Sequence, residues 1–314
     1  MCPQTNIIMK HFFTLSILLL LAGIPAPIQA QNQQLAQTII EIEPLFQYPT
    51  APEELEGIQA KSAWLMQHFW DSFDFKNKNT VDQTALNHAF KIYSVPMRWA
   101  PKDEVIASNM RLLKVLEKNP TLLLQFTKAA EENLYGPRAE AWIDEVYLLY
   151  LQTITSNKKI ADIRKTKYVD QLKTLKASAI GSTAPRFTFT DMYGNEGQYF
   201  PMSTFTIIEF GDPDCDDCRM SRLKMEASAP LSNLVSQGKV NILFIVPDAD
   251  DSWTTAVSDY PRQWTVAASE DAGDVYDLRN IPSFYVIDTD GKILLKNITV
   301  QQAIEAATER FAKP

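Results

Sequence analysis

The sequence has very little cysteine. Three cysteines occur in 314 residues: Cys2 near the start, and Cys215 and Cys218 close together. A secreted disulfide scaffold carries more pairs at wider spacing, so this class is excluded. Structural zinc needs about four ligands, usually including a second Cys or His pair. With three histidines in the whole chain, we predict neither a metal nor a cofactor. A redox pair and a local structural disulfide stay as alternatives.

Positive charge is scarce in the second half of the chain. Up to residue 178 there are 19 Lys and Arg against 18 Asp and Glu, and after it 11 against 20. The net charge of −8 therefore arises in the second half. An acidic domain disfavours nucleic acid and anionic membrane surfaces as partners. A protein substrate with a basic or neutral surface is compatible with this charge.

The sequence also lacks an apolar run that spans a bilayer comfortably. Its longest run, Phe12 to Gly23, follows the basic residue Lys10 and precedes small and polar residues up to Ala30. This order is typical of a cleaved secretory signal, and a buried N-terminal helix is the alternative. We predict a signal peptide over residues 1–30, cleaved near Ala30. The mature protein is then periplasmic or secreted, without a stable membrane anchor.

Residues 31–178 have the periodicity of helices. Apolar residues recur at three- and four-residue spacing, and strand-like alternation does not compete with this pattern. Helices are predicted around residues 35–46, 64–73, 105–116, 121–135, 139–155 and 160–176. This part of the chain is predicted to be an all-α domain.

Residues 179–314 mix strands with helices. Strands are predicted at 187–190, 205–210, 240–246, 263–268, 283–287 and 293–295, and helices at 215–237, with a break at Pro230, and at 300–311. The last two strands are joined by the turn Asp288-Thr289-Asp290-Gly291 and form a predicted hairpin. This mixture indicates an α/β domain. The predicted fold class is therefore α/β, preceded by an all-α helical domain.

The cysteine pair lies where a predicted strand gives way to a helix. Side chains at positions i and i+3 of a helix have Cβ atoms about 5–6 Å apart, so a disulfide between them needs modest adjustment. Free N–H groups and the macrodipole at a helix N-terminus favour a thiolate at Cys215. This placement favours the redox interpretation, with Cys215 as the attacking thiol and Cys218 as the less exposed resolving thiol.

Further motifs resemble the extracytoplasmic TlpA/ResA-type thiol-disulfide oxidoreductases, which have a thioredoxin fold. The matching residues are Ala184-Pro185-Arg186-Phe187, Gly194-Asn195, Ile281-Pro282-Ser283-Phe284, Asp288-Thr289-Asp290-Gly291, and Glu209 six residues before Cys215. The resemblance implies a thioredoxin-like domain over residues 179–314. It also implies protein thiols and disulfides as substrates, with an electron donor that the sequence does not identify.

The same resemblance assigns supporting roles to two residues. Glu209 is implied to be a buried acid beneath the cysteines, and burial would raise its pKa and suit a general base for Cys218. The alternative is a strand-edge glutamate facing solvent. Pro282 is implied to follow a cis peptide bond, which leaves the Ile281 backbone free to pair with an extended substrate. The alternative is a proline that opens a strand. The implied catalytic set is Cys215, Cys218, Glu209 and Pro282.

Acidic residues around the pair depart from the family pattern. Typical members have Trp before the first cysteine and Pro before the second, where this chain has Asp214 and Asp217; Asp216 is a third acid. A carboxylate about 6 Å away costs a thiolate about 3 kcal/mol at an effective dielectric of 20. The helix terminus offers about 0.3–1 kcal/mol, and Arg219 and Arg222 are expected to offset the acids in part. A less stabilised thiolate favours the disulfide, so we expect the chain to reduce or isomerise partner disulfides.

The helical half resembles, more loosely, an uncharacterised domain that precedes thioredoxin-like domains in envelope proteins of Bacteroides-type bacteria. Residues 64–75 carry most of this match. The predicted domains are thus the signal peptide, a helical domain of unknown function over 31–178 and the thioredoxin-like domain. A competing hypothesis is a non-catalytic envelope binding or assembly module, in which the helical half recruits a partner and the disulfide is passive.

Overall fold

The structure, a computed structural model, describes residues 42–76, 80–201 and 203–312. From Ile42 onward the chain forms one compact unit. The predicted signal peptide and most of the first predicted helix lie outside the described residues. Within the described ranges, every helix is too short or too polar to cross a bilayer.

The first half of the described chain is helical. Its six α-helices are α1 Gly57–His68, α2 Gln83–Ser94, α3 Lys102–Leu116, α4 Pro120–Leu134, α5 Asp144–Ser156 and α6 Thr166–Ala177. Side-chain caps begin two of them: the Asp82 carboxylate accepts a hydrogen bond from the N–H of Ala85, and the Asn119 side chain accepts one from Leu122. These helices enclose an aromatic core that includes Trp70, Phe73, Phe90, Tyr93, Phe126 and Tyr150.

Several helix boundaries differ from the prediction, and α2 Gln83–Ser94 was not predicted at all. Residues 42–46, the described end of the first predicted helix, are not helical. The apolar pattern continues to Phe73, but α1 ends at His68, and residues 69–73 form turns. Phe69, Trp70 and Phe73 are nevertheless buried. Helix α5 begins at Asp144 rather than near residue 139, and α6 begins at Thr166 rather than near residue 160. The apolar pattern in the sequence reports which side chains are buried. Turn residues after α1 also pack into the core, so the pattern continues beyond the end of the helix.

The second half is built on a seven-stranded sheet. Its strands are β1 Phe187–Asp191, β2 Glu196–Tyr199, β3 Phe205–Phe210, β4 Val240–Val246, β5 Thr265–Ala268, β6 Ser283–Ile287 and β7 Ile293–Ile298. Their order across the sheet is β2-β1-β5-β4-β3-β6-β7. Strands β3, β4 and β5 are parallel, and the other neighbours are antiparallel. The predicted fold class, an α/β domain preceded by an all-α domain, is confirmed.

Four α-helices are described in the second half, and three of them pack on the sheet. They are α7 Asp216–Ala227, α8 Ala229–Ser236, the short α9 Trp253–Ala256 and α10 Val300–Ala312. Met225 of α7, Leu231 of α8 and Ile304 of α10 pack against one face of the sheet in a single core cluster. The predicted break at Pro230 is confirmed, because Ser228 ends α7 and caps α8, where Pro230 occupies the first turn.

The register of the sheet brings distant residues to the end of β3. Strand β3 ends at Phe210, and the chain then turns through Gly211 to Cys215 at the start of α7. Phe210 pairs with Ser283, the first residue of the antiparallel neighbour β6. Pro282, which precedes Ser283, therefore lies beside the turn that leads into the cysteine pair.

Candidate redox site

Cys215 is the N-cap residue of α7. Its backbone is extended, and its Sγ accepts a hydrogen bond from the N–H of Cys218, 3.4 Å away. Cys215 is half-buried, whereas Cys218 has no exposed surface, and both are free thiols. The helix terminus thus presents one accessible sulfur that accepts a backbone hydrogen bond, with the second sulfur buried.

The buried thiol of Cys218 is held in its protonated form. Burial raises the pKa of Cys218 well above its usual range, and the hydrogen bond with Cys215 raises this pKa further. The N–H of Asp212 opposes this rise, and the charge of Glu209 adds to it. Cys218 therefore needs a nearby proton acceptor before it can act as a nucleophile.

Gly211 allows the backbone to pass close to the buried sulfur. A Cβ atom at this position would lie 2.6 Å from a ring carbon of Phe244 and 3.4 Å from the Sγ of Cys218. Glycine is therefore required by the close approach of the turn to the Phe244 ring. The local sequence carries no signal for this contact, because Phe244 lies on another strand.

Glu209 is a buried acid on the strand beneath α7. It has no exposed surface, and its neighbours across the sheet are Phe244 on β4 and Phe284 on β6. Among the described residues, neither carboxylate oxygen has a hydrogen-bond partner. Burial raises the pKa of Glu209 well above its ordinary value, and the charge of Arg222 only partly opposes this. The predicted burial is confirmed, and the solvent-facing alternative is excluded.

Arg222, one of the two arginines expected to offset the acids near Cys215, lies on the inner side of α7. Its side chain is 9% exposed, and its Nη1 is 2.8 Å from the Oδ1 of Asp259. Its guanidinium carbon is 4.6 Å from the ring centroid of Tyr260. The position four residues after Cys218 places Arg222 on the same buried helix face. Its charge lowers the pKa of Glu209, against the effect of burial.

The three acids around Cys215 face solvent. Asp214, Asp216 and Asp217 are all exposed, and Asp216 forms an ion pair with Arg219. Water and salt screen charges in such positions. The cost calculated from the sequence at an effective dielectric of 20 is therefore an upper limit for these exposed carboxylates.

Pro282 follows a cis peptide bond, as the resemblance implied. It is half-buried, and the preceding Ile281 is 37% exposed. The structure thus brings Cys215, Cys218, Glu209 and Pro282 together at the carboxyl end of β3. In the described residues, no group of three or more His, Cys, Asp and Glu side chains is arranged to hold a metal.

The buried acid predicts a pH-dependent stability. The folded-state pKa of Glu209 is raised above the ordinary 4.5, so between these two values the folded chain keeps a proton that the unfolded chain has lost. Raising the pH through this window therefore lowers the free energy of unfolding, by up to about 1.4 kcal/mol per pH unit. Below pH 4.5 the residue contributes no such slope.

Glu209→Gln removes this titration, and we expect the variant to have a flatter stability profile and greater stability at neutral pH. Urea unfolding at several values between about pH 5 and 8 measures the difference. Glu196→Gln, at an exposed position, is the matched control and should keep the wild-type profile. Parallel profiles for wild type and Glu209→Gln would contradict the prediction.

The sheet with its parallel centre, the proline-led strand β6 and the cysteine at a helix N-terminus together define a thioredoxin-like fold. Comparison with solved structures agrees. A thioredoxin-like protein from Bacteroides caccae is similar to this chain with a TM-score of 0.70 at 21% sequence identity. The similarity covers 84% of this chain and 98% of that chain. It therefore extends over both the helical and the sheet-containing half.

Two further solved structures match the chain over a smaller share. The C-terminal domain of an uncharacterised protein from Bacteroides fragilis is 28% identical and covers 42% of this chain and 98% of that chain, with a TM-score of 0.39. The thioredoxin domain of a thiol-disulfide oxidoreductase from Bacteroides vulgatus is 21% identical to this chain, with a TM-score of 0.38. That similarity covers 42% of this chain and 97% of that chain.

The helical half has a match of its own. Residues 26–178 match the family described as Domain of unknown function (DUF5106), over just under half of the chain. No curated protein matches the sequence. The predicted likeness to thioredoxin-like proteins with an N-terminal domain of unknown function is confirmed. The boundaries at 31–178 and 179–314 and the catalytic roles stay predictions.

Proposed function

We propose that this chain is a thiol-disulfide oxidoreductase that acts on protein disulfides through Cys215 and Cys218. The observation that carries the proposal is the arrangement of the two thiols at the start of α7. Cys215 is accessible and accepts a hydrogen bond from a backbone N–H, and Cys218 is buried close to the acid Glu209. Such a pair suits attack by the outer sulfur and resolution by the inner one.

In the first step, the thiolate of Cys215 attacks one sulfur of a substrate disulfide. A bond forms between Cys215 and that sulfur, the substrate S–S bond breaks, and the other substrate sulfur leaves as a thiolate that takes a proton from water. The free N–H groups at the start of α7 stabilise the attacking thiolate. The product is a mixed disulfide on the accessible face of the protein.

In the second step, Cys218 loses its proton to the Glu209 carboxylate, and its thiolate attacks the Sγ of Cys215. The Cys215–Cys218 disulfide forms, and the second substrate sulfur leaves as a thiolate. Two electrons have then passed from the chain to the substrate, and a dithiol or another two-electron donor must restore the pair. The raised pKa of Glu209 favours proton uptake at this point.

The direction proposed is reduction or isomerisation. Asp214, Asp216 and Asp217 disfavour a thiolate at Cys215, and a couple with a less stabilised thiolate is a better reductant. Pro282 lies beside the cysteine turn, and the exposed Ile281 before it gives an extended polypeptide a surface on which to align. The acidic second half favours substrates with a basic or neutral surface.

The proposed location is outside the cytoplasm. The basic, apolar and small-residue order over residues 10–30 supports export. A pair that cycles through a disulfide also suits an oxidising compartment.

The mechanism predicts that Cys218→Ser traps a covalent intermediate. Serine cannot displace the substrate from Cys215, so the mixed disulfide should accumulate with a substrate that carries a disulfide, such as insulin. Intact mass spectrometry under non-reducing conditions measures the adduct, which dithiothreitol should release.

The double variant Cys215→Ser/Cys218→Ser is the matched control, because it has no sulfur at the helix terminus and should give no adduct. Failure of Cys218→Ser to form an adduct with any disulfide substrate would contradict the proposed reaction. That outcome would favour the binding or assembly module, in which the pair is passive.

A further inference from the structure

Four charged side chains meet where the helical half contacts the thioredoxin-like half. Arg279 donates to the Asp277 carboxylate through its Nε at 2.9 Å, and it also forms an ion pair with Asp144 at the start of α5. Lys296 of β7 contacts both acids, at 2.7 Å from Asp144 and 3.2 Å from Asp277. Asp144 comes from the helical half, and the other three come from the thioredoxin-like half. We refer to these four residues as the interdomain network.

The interdomain network is shielded from solvent. Asp277 and Arg279 have side chains that are 0% and 1% exposed. Burial by itself raises the pKa of Asp277, but the hydrogen bonds and charge of Arg279, helped by Lys296, outweigh it and leave the pKa below its ordinary value. The Arg279 guanidinium also lies over the rings of Tyr135 and Trp142. The charges are therefore compensated in a fixed geometry.

The interdomain network is continuous with the segment that carries Pro282. The Asp277 backbone exchanges two hydrogen bonds with the Tyr285 hydroxyl on β6, at 3.0 and 2.9 Å. Asn297 links the Asp277 carboxylate, at 3.3 Å, to the hydroxyl of Ser283, at 3.0 Å. Hydrogen bonds thus connect both ends of the segment 277–283 to β6 and β7. Asp144 of the helical half adds ion pairs with Arg279 and Lys296.

The same segment forms one wall of a groove between the two halves. Its lining includes Leu278 and Ile281 of the thioredoxin-like half and Tyr135, Gln171 and Thr174 of the helical half, and its volume is about 630 Å³. Ile281, which precedes Pro282, is one of the lining residues of this groove. A polypeptide aligned on Ile281 would therefore lie next to residues of the helical half.

We propose that the helical half positions the substrate-aligning segment of the redox site. Asp144, acting through Arg279 and Lys296, holds residues 277–283 in place, and the groove beside Ile281 receives a polypeptide substrate. The inference rests on the proposed function and gives the helical half a role in that function. Asp144 is a positioning residue, since it acts through Arg279 and not on the sulfur atoms.

The experiment compares two substrates in the full chain. Asp144→Asn keeps the side-chain volume and removes the charge that Arg279 and Lys296 share. We expect KM for insulin to rise about tenfold with kcat little changed, because alignment is lost and sulfur chemistry is not. The rate with a small aromatic disulfide, 5,5′-dithiobis(2-nitrobenzoate), should stay within about twofold, since this compound needs no peptide alignment.

Glu145→Gln is the matched control. Glu145 is the next residue of α5, and its ion pair with Lys102 lies inside the helical half. This variant loses an acid and an ion pair at the same helix end, and it should behave as wild type with both substrates. Asp144→Glu should restore part of the insulin KM. Equal losses with both disulfides, or no change in the insulin KM, would overturn the inference.

Amide hydrogen exchange separates this inference from the proposed function. If the wild-type chain does not reduce insulin, the proposed function is wrong, but the positioning of residues 277–283 can still be measured. Faster exchange in this segment for Asp144→Asn, with helix α7 unchanged and Glu145→Gln normal, would support positioning. Unchanged exchange would overturn it.

Discussion

Cys215→Ser is expected to lower insulin-disulfide reduction to the uncatalysed rate of the dithiothreitol present as electron donor. A hydroxyl group cannot form the mixed disulfide, and Cys218 has no exposed surface from which to attack instead. The precipitation of the insulin B chain, followed by turbidity, measures the rate. This is the largest change in activity that the proposed mechanism predicts.

The structure also provides the control for folding. Cys215 is an N-cap residue, and serine is among the preferred residues at that position. Cys215→Ser should therefore be at least as stable to urea as wild type, so unfolding cannot explain the lost activity. Cys218→Ser should lose turnover as well but keep the first covalent step. Wild-type turnover in Cys215→Ser would contradict the mechanism and favour the passive module.

Arg279→Met is expected to lower the free energy of unfolding by about 3 kcal/mol, measured by urea denaturation. Methionine replaces the length of the side chain but leaves the fully buried Asp277 with less compensation. Lys296, 3.2 Å from Asp277, still compensates part of the Asp277 charge in this variant. The expected loss of stability is therefore at the low end of the range for breaking a buried ion pair, about 3–5 kcal/mol.

Two variants test the reason for this loss. Lys102→Met breaks the exposed pair with Glu145, where both side chains are more than half exposed, and should cost less than about 1 kcal/mol. Adding Asp277→Asn to Arg279→Met removes the uncompensated charge and should recover part of the stability. Equal losses in Arg279→Met and Lys102→Met would contradict the explanation by burial.

The sequence predicted the fold where hydrophobic patterns were strong. Strand β4 was predicted at residues 240–246, and the structure has it at Val240–Val246. Its neighbour β3 was likewise predicted at its observed bounds. Strand β2 was not predicted, because Glu196, Gly197 and Gln198 are polar or small and the strand is defined by pairing with β1. Pairing of this kind leaves no local hydrophobic signal.

The site was predictable where its residues lie in short motifs. The spacing of Cys215 and Cys218 and the apolar surroundings of Glu209 are visible in the sequence, and Pro282 was found through its motif. The burial of Arg222 against Asp259 was not predicted, because Asp259 lies on another segment of the chain. The pair of Asp144 and Arg279 is separated by 135 residues. Such contacts depend on how the helical half packs against the thioredoxin-like half. The local sequence around each residue does not encode this packing.

The unequal exposure of the two sulfurs has a kinetic consequence. Once the Cys215–Cys218 disulfide has formed, an incoming thiolate can reach it only at Cys215, since Cys218 is covered on all sides. The electron donor and the oxidised substrate must then use the same opening in turn. We expect ping-pong kinetics, with parallel double-reciprocal plots and each reactant inhibiting the other at high concentration. The electron donor, like the substrate, therefore needs a surface whose charge is compatible with the acidic residues around the helix terminus.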